Sequence, residues 1–339
     1  MLLEAKNIVK KFPVRGGLFG RTVGHVHAVS DVTIGLKEGE TLGLVGESGC
    51  GKTTLARLIM RLLHPSSGSI HFDGEDLTRL KERQLRPLRR KFQMIFQDPY
   101  SSLNPRMTVG QTLTEPLVVH GLENGGKRKD RVLEMLQKVG LPPEAYAKYP
   151  HEFSGGQRQR IGIARALMLY PKLIVADEPV SALDVSIQAQ IINLMSSLQR
   201  EMNLTYLFIA HDLKVVRHLS QRIAVMYLGH VVEELPSSRL SESHHPYTHA
   251  LLSAVPVPDP RVKREKIILR GDPPSPMAPP SGCVFRTRCA YAQEVCAEKV
   301  PPLEELVPGH RVACHFAKEV GPFKVLPPKA APGEGIPPP

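Results

Sequence analysis

Up to about residue 253 the chain alternates two kinds of segment. Short, unbroken apolar runs recur as TLGLV (41–45), FQMIF (92–96), KLIVA (172–176), TYLFIA (205–210) and RIAVMYL (222–228). Runs this short and this rich in β-favouring residues suit parallel strands buried on both faces. Between them lie helical patterns such as GKTTLARLIMRLL and DVSIQAQIINLMSSLQREM. The alternation predicts an α/β core. No internal repeat is visible.

The pattern stops near Ala254. Eighteen of the 31 prolines lie at or beyond Pro256. GDPPSPMAPP can be neither helix nor central strand, and APGEGIPPP reads as a loose tail. The expected organisation is a domain over 1–253 and a loop-rich C-terminal extension over 254–339, held together by something other than a large core.

Composition narrows the setting. The 339 residues carry a formal charge of +11. That excess suits nucleic acid, an anionic membrane face, a phosphate-rich ligand or simply a basic soluble surface. Glu4 and Lys6 interrupt the N-terminal apolar stretch, so it does not read as a signal peptide. No run approaches the length that spans a bilayer. The chain is therefore expected to be cytosolic, and to serve any membrane through a partner.

The chemistry begins at GLVGESGCGKTTL, between a strand and a helix. Gly46, Gly51, Lys52 and Thr53 fit the spacing G-x-x-x-x-G-K-S/T. Such a loop turns its backbone N–H groups toward phosphates at a helix N-terminus. The lysine reaches the β- and γ-phosphates, and the threonine hydroxyl binds Mg²⁺. Ser48, Gly49, Cys50 and Thr54 complete the predicted nucleotide-binding loop, with Cys50 expected to face the nucleotide. KLIVADEP ends an apolar strand in Asp177, suited to Mg²⁺, and Glu178, suited to polarising a water. In isolation such an acidic pair also serves as a helix cap. FSGGQRQRIGIARAL places Ser154, Gly155, Gly156 and Gln157 at the start of a long helix, a second anion site. One triphosphate does not need two helix N-termini from one chain, so this site is expected to serve the ATP of another subunit.

These phrases resemble the ATP-binding subunits of ABC transporters over about residues 2–253. The resemblance implies a P-loop NTPase fold: a RecA-like core, an antiparallel β subdomain and a helical subdomain. It implies head-to-tail dimers, with each ATP between one phosphate loop and the partner's signature. It assigns Phe12 to stacking on adenine, Gln97 to Mg²⁺ and the attacking water, Asp184 to the loop at the dimer interface, and His211 to the switch near the γ-phosphate. With Glu178, Gln97 and His211 form the implied catalytic group; Thr53, Gln97 and Asp177 are the implied Mg²⁺ ligands. Phe153 stands where leucine is commoner, and Phe12 where tyrosine is.

GESGCGK, FQDPYSSLNPRMTV, HHPYTHALLSAVP and the cysteine tail resemble more closely the oligopeptide/dipeptide importer ATPases, of the second-subunit type. The implied partners are a paralogous ATPase, two transmembrane permeases and an external peptide-binding protein, with no nucleic acid. Nickel importers look much alike. DNA-repair or translation ABC ATPases would use the positive charge, but they usually carry tandem modules or a long charged linker, and this chain shows neither. The basic run KERQLRPLRRK (81–91) reads as a solvated face, with lipid head groups or a permease as the alternative.

Four of the five cysteines, Cys283, Cys289, Cys296 and Cys314, fall in the tail. Their spacing matches neither the paired C-x₂-C of common zinc sites nor a ferredoxin run. Cytosolic disulfides are rare. A metal centre would stabilise a proline-rich segment that buries little apolar area. The resemblance implies a [4Fe–4S] cluster on these four thiolates; zinc and ordinary free thiols remain the alternatives.

Overall fold

A computed structural model of the chain describes residues 1–16, 21–98, 102–255 and 266–323. Two sheets form its frame. The smaller is antiparallel, in the order β2 (Arg21–Leu36), β1 (Leu3–Gly16), β4 (Ser67–Phe72), β5 (Glu75–Asp76). The larger has eight strands. Five of them are parallel, in the order β9 (Arg222–Tyr227), β3 (Thr41–Val45), β8 (Thr205–Ile209), β7 (Leu173–Asp177), β6 (Phe92–Ile95). These are the five apolar runs of the sequence. Every residue of β3, β7 and β8 is buried, as strands covered on both faces require.

Two apolar layers enclose this sheet. Helix α1 (Lys52–Ile59) and the antiparallel sheet cover one face; Leu42, Leu44, Leu55, Ile59, Phe72 and Leu207 share that core. Helices α3 (Val109–Val119), α4 (Gly126–Lys138), α5 (Gly155–Leu167) and α6 (Val185–Met202) contribute to the other, where Leu113, Met135, Ile161, Ile191 and Phe208 meet. The short helix α2 (Glu82–Leu88) carries part of the basic run, whose members are mostly exposed or half-buried; Lys91 at its end pairs with Asp73. Among the described residues, no helix is long and apolar enough to cross a membrane.

The segment beyond 254 is more closely built in than its composition suggests. Strand β12 (His310–Val312) pairs antiparallel with β10 (His230–Pro236), and β11 (Glu304–Val307) extends the sheet beyond it. Phe285 is 1% exposed and lies in the same core as the helices. Glu233 of β10 and His310 of β12 are wholly buried. The Glu233 carboxylate accepts from His310 Nε2 at 2.8 Å and from the His244 N–H at 2.6 Å. Burial pushes its carboxyl pKa up, but these hydrogen bonds outweigh that and the net shift is downward. Proline-rich composition thus conceals two added strands and a buried polar tie. The final residues, 324–339, with the predicted loose tail, lie outside the described residues.

Candidate active site

The phosphate loop joins β3 to α1. Its glycines answer to close backbone approach. Gly46 has φ +154°, and a Cβ there would stand 2.1 Å from the Met226 carbonyl oxygen; Gly51 has φ +106°, and its Cβ would stand 2.2 Å from that of Ala28. A side chain at either position would push the loop off β9 or β2. Ser48 and Gly49 are exposed at the loop's open side, and Thr53 and Thr54 are half-buried in the first turn of α1. Lys52 is 4% exposed, and its ammonium donates to the Gly46 carbonyl at 2.7 Å and the Glu47 carbonyl at 2.9 Å. Cys50, expected to face the nucleotide, is 6% exposed. Its thiol packs in the core beneath the loop, 3.7 Å from Lys52 Nζ, and burial raises its pKa.

The remaining predicted groups follow the C-terminal ends of neighbouring parallel strands, where ligands of open α/β sheets bind. The Thr53 hydroxyl donates to Asp177 Oδ1 at 3.0 Å, joining α1 to the end of β7. Burial raises the Asp177 carboxyl pKa, against the opposing Thr53 hydrogen bond. A buried carboxylate beside a hydroxyl suits a hard divalent cation, whose charge would offset that burial. Glu178 Oε2 lies 3.3 Å from Gln97 Nε2, which donates to it, and 3.4 Å from His211 Nδ1. Gln97 follows β6 and His211 follows β8, so three separate loops converge on one carboxylate. Glu178 has φ +46°, an unusual conformation for a side-chain-bearing residue, and its N–H is tied to the Ile209 carbonyl at 2.9 Å. Strain held in place by the fold is a mark of functional sites.

Phe12 sits half-buried on β1, opposite Val26 and two positions along β2 from Ala28, whose carbonyl touches the phosphate loop. Lys10 Nζ lies 5.0 Å from the centre of its ring.

The signature segment stands apart from this group. Ser154 is exposed and caps α5: its hydroxyl accepts from the Gln157 N–H at 3.3 Å, and Gln157 Oε1 accepts from the Ser154 N–H at 3.0 Å. Gly156 packs against α6, where a Cβ would stand 2.6 Å from Ile187 Cγ2. Asp184 is exposed at the N-cap of α6, beside Val185, which is 82% exposed. Phe153 is buried.

Residues the sequence did not single out hold the loop from behind. Arg288 Nη1 donates to Glu47 Oε2 at 2.8 Å, and the Tyr247 hydroxyl accepts from the Glu47 N–H at 2.8 Å. The partners are 241 and 200 positions from Glu47, beyond any motif's reach.

The four tail cysteines line one small pocket with His245, Phe285 and Phe316. All are free thiols in this structure. Burial raises the pKa of Cys283 and Cys289, and that of Cys314 to about 11, with neighbouring thiols adding to the effect. The void between them measures only about 10 Å³. Among the described residues, no group of three or more His, Cys, Asp or Glu side chains is arranged to hold a metal ion.

A phosphate loop facing carboxylates across the ends of parallel strands defines the class of P-loop ATPases. The comparisons narrow it. Residues 29–181 match the family model described as ABC transporter, and 232–296 match that of the oligopeptide/dipeptide transporter C-terminal region. The chain is 56% identical over 319 residues to the oligopeptide transport ATP-binding protein AppF of Bacillus subtilis, covering 93% of this chain and 97% of that protein. It is 52% identical over 315 residues to a probable peptide ABC transporter ATP-binding protein, y4tS, of Sinorhizobium fredii, covering 93% and 89%. The solved dimer of the ATP-binding cassette MJ0796 bound to ADP and Pi superposes with a TM-score of 0.62 at 32% identity, over 69% of this chain and 98% of that one. The chain belongs to the ABC transporter ATP-binding proteins of the oligopeptide/dipeptide transport family.

Proposed function

We propose that this chain hydrolyses ATP to power peptide import through a membrane transporter. The observation that carries the reading is the convergence of Gln97, Glu178 and His211 beside a phosphate loop whose Thr53 already meets Asp177. ATP lies along the loop from Gly46 to Thr54, with Phe12 against the adenine. Thr53, Asp177 and Gln97 would hold Mg²⁺, which would neutralise phosphate charge. Lys52 leaves the loop carbonyls for the phosphates. Glu178 orients the attacking water and accepts its proton, and His211 and Gln97 fix the carboxylate in place.

The exposed N-termini of α5 and α6 point to a second ATPase subunit, with Ser154, Gly155, Gly156 and Gln157 facing the partner's ATP and Asp184 at the interface. A paralogous subunit fits the resemblance. The membrane part is supplied by permeases, two in the expected complex, with an external peptide-binding protein, and the chain works at the cytoplasmic face. The 254–339 extension is the part specific to peptide transporters, as the match over 232–296 supports.

The tail thiols are proposed to hold a [4Fe–4S] cluster, supported by their gathering in one pocket. The small void means that loading would spread the pocket. Bound iron would cross-link the stretches that carry Cys283, Cys289, Cys296 and Cys314.

Purification of the transporter with its binding protein, followed by mass spectrometry of the bound ligand and peptide-stimulated ATPase assays, tests the function. A peptide ligand and stimulated turnover are expected. Bound nickel, or turnover unaffected by peptides, contradicts the peptide reading. Anaerobically prepared protein should be brown with about four irons per chain; a colourless, folded preparation without iron contradicts the cluster.

A further inference from the structure

Glu47, the second residue of the phosphate loop, is held at all three of its polar groups. Its carbonyl accepts from Lys52 Nζ. Its N–H donates to Tyr247, and its carboxylate receives Arg288. The Arg288 side chain is 9% exposed and that of Glu47 30%, so the pair is sheltered from solvent screening. Tyr247 belongs to helix α7 (Pro246–Ala254), and Arg288 to the turn between Cys283 and Cys289. Both come from the region that follows the catalytic strands.

The clamp has a rigid backing. The Phe285 ring centre lies 5.2 Å from that of Tyr227, 5.5 Å from Tyr247 and 5.6 Å from His245. The Tyr227 and Tyr247 rings are 4.7 Å apart. The Arg288 N–H bonds to the Phe285 carbonyl at 3.0 Å, so the turn that carries the guanidinium is fixed to this aromatic group. Phe285 and Cys289 also wall the thiol pocket. One short turn therefore touches the thiols on one side and the phosphate loop on the other.

We propose that Arg288 and Tyr247 are positioning residues for the phosphate loop, and that through them the order of the four-thiol segment sets the affinity for ATP. Phosphate binding by backbone N–H groups depends on the loop holding one shape. A loop freed at Glu47 samples shapes that do not bind, and apparent affinity falls by the fraction lost. Arg288 touches no reacting atom, so the effect falls on binding rather than on the bond-breaking step.

The inference rests on the phosphate-loop reading, and the test separates the two. Binding of Mg·ATP to the full chain is measured by calorimetry for the wild type, E47Q, R288Q, the double variant and K52A, with thermal midpoints alongside. E47Q and R288Q should each weaken Mg·ATP binding by on the order of tenfold, as loss of a sheltered charge-assisted bond warrants. The double variant should be no worse than either single one. R288K should recover part of the affinity, and in the assembled transporter R288Q should raise KM while leaving kcat within about twofold. C289S should weaken binding in the wild type and add nothing in R288Q. If K52A binds as the wild type does, the nucleotide reading itself fails. If K52A loses binding but E47Q and R288Q do not, the clamp fails alone. Losses that multiply in the double variant, or a C289S effect that persists in full in R288Q, also overturn the proposal. Should R288Q not fold, E47Q, altered at the more exposed end of the pair, carries the same comparison.

Discussion

Gly156→Ala isolates the role of the signature helix. A Cβ at this position would stand 2.6 Å from Ile187 Cγ2. Ordinary carbon–carbon contact lies near 3.5–4.0 Å, so about 1 Å must be found. Ile187 cannot swing aside easily, because a β-branched side chain in a helix has one strongly preferred rotamer. The first turn of α5 must therefore move away from α6. Overpacking of this kind costs about 1–3 kcal/mol of stability. The functional loss should be larger in proportion, because the N–H groups of that turn are proposed to meet the partner's phosphates. A misplacement of about 1 Å at a reacting group can cost on the order of 100-fold in rate. The assay is ATP turnover by the assembled transporter, with urea midpoints measured on the same variants. Gly156→Ala should lose most turnover with nucleotide binding at its own phosphate loop intact. Adding Ile187→Ala removes Cγ2 and should restore turnover toward that of Ile187→Ala alone. Full turnover by Gly156→Ala, or no recovery in the double variant, would refute the steric argument.

Other variants probe the frame around the site. Phe285→Ala removes a ring that packs against three others and should cost about 3–5 kcal/mol, read as a lower urea midpoint; an unchanged midpoint would show that the C-terminal segment is only loosely seated. Asp73 bonds Lys91 at 2.7 Å and Lys172 at 2.9 Å, and these hydrogen bonds hold its carboxyl below the usual range. A depressed carboxyl stabilises above the unfolded pKa and loses that contribution as pH falls through the folded value. Because the lysines are partly exposed, Asp73→Asn should cost only about 0.5–1 kcal/mol at pH 7, and the gap between variant and wild type should shrink by about pH 3. A gap that widens in acid would reverse the assignment.

The parallel strands were legible because each is a continuous apolar run, and burial on both faces leaves little choice of residue. The phosphate loop was legible because Gly46 and Gly51 sit where another backbone passes within contact. Asp177 and Glu178 could be read from their place after an apolar strand. Their grouping with Gln97 and His211 was implied only by the family resemblance and not by any local pattern, since it depends on the order in which β6, β7 and β8 lie in the sheet. The start of a helix at Ser154 was legible, whereas its capping bonds with Gln157 emerge from the structure. The C-terminal segment was hardest to read. Its strands are only three and four residues long, and its ties to the core, His310 to Glu233 and Arg288 to Glu47, span 77 and 241 positions. Composition reports proline there, but it carries no record of pairings made at such distance.

The central claim is that Glu178 is the group that readies water for attack on ATP. Glu178→Gln keeps the side chain's size and its place beside Gln97 and His211, and removes the proton acceptor. Turnover of Mg·ATP by the assembled transporter carrying this single change measures the claim directly. ATP binding at wild-type affinity with turnover reduced by at least about 100-fold is the predicted result, accompanied by a stable nucleotide-bound dimer. Hydrolysis near the wild-type rate would contradict it and place the catalytic base elsewhere.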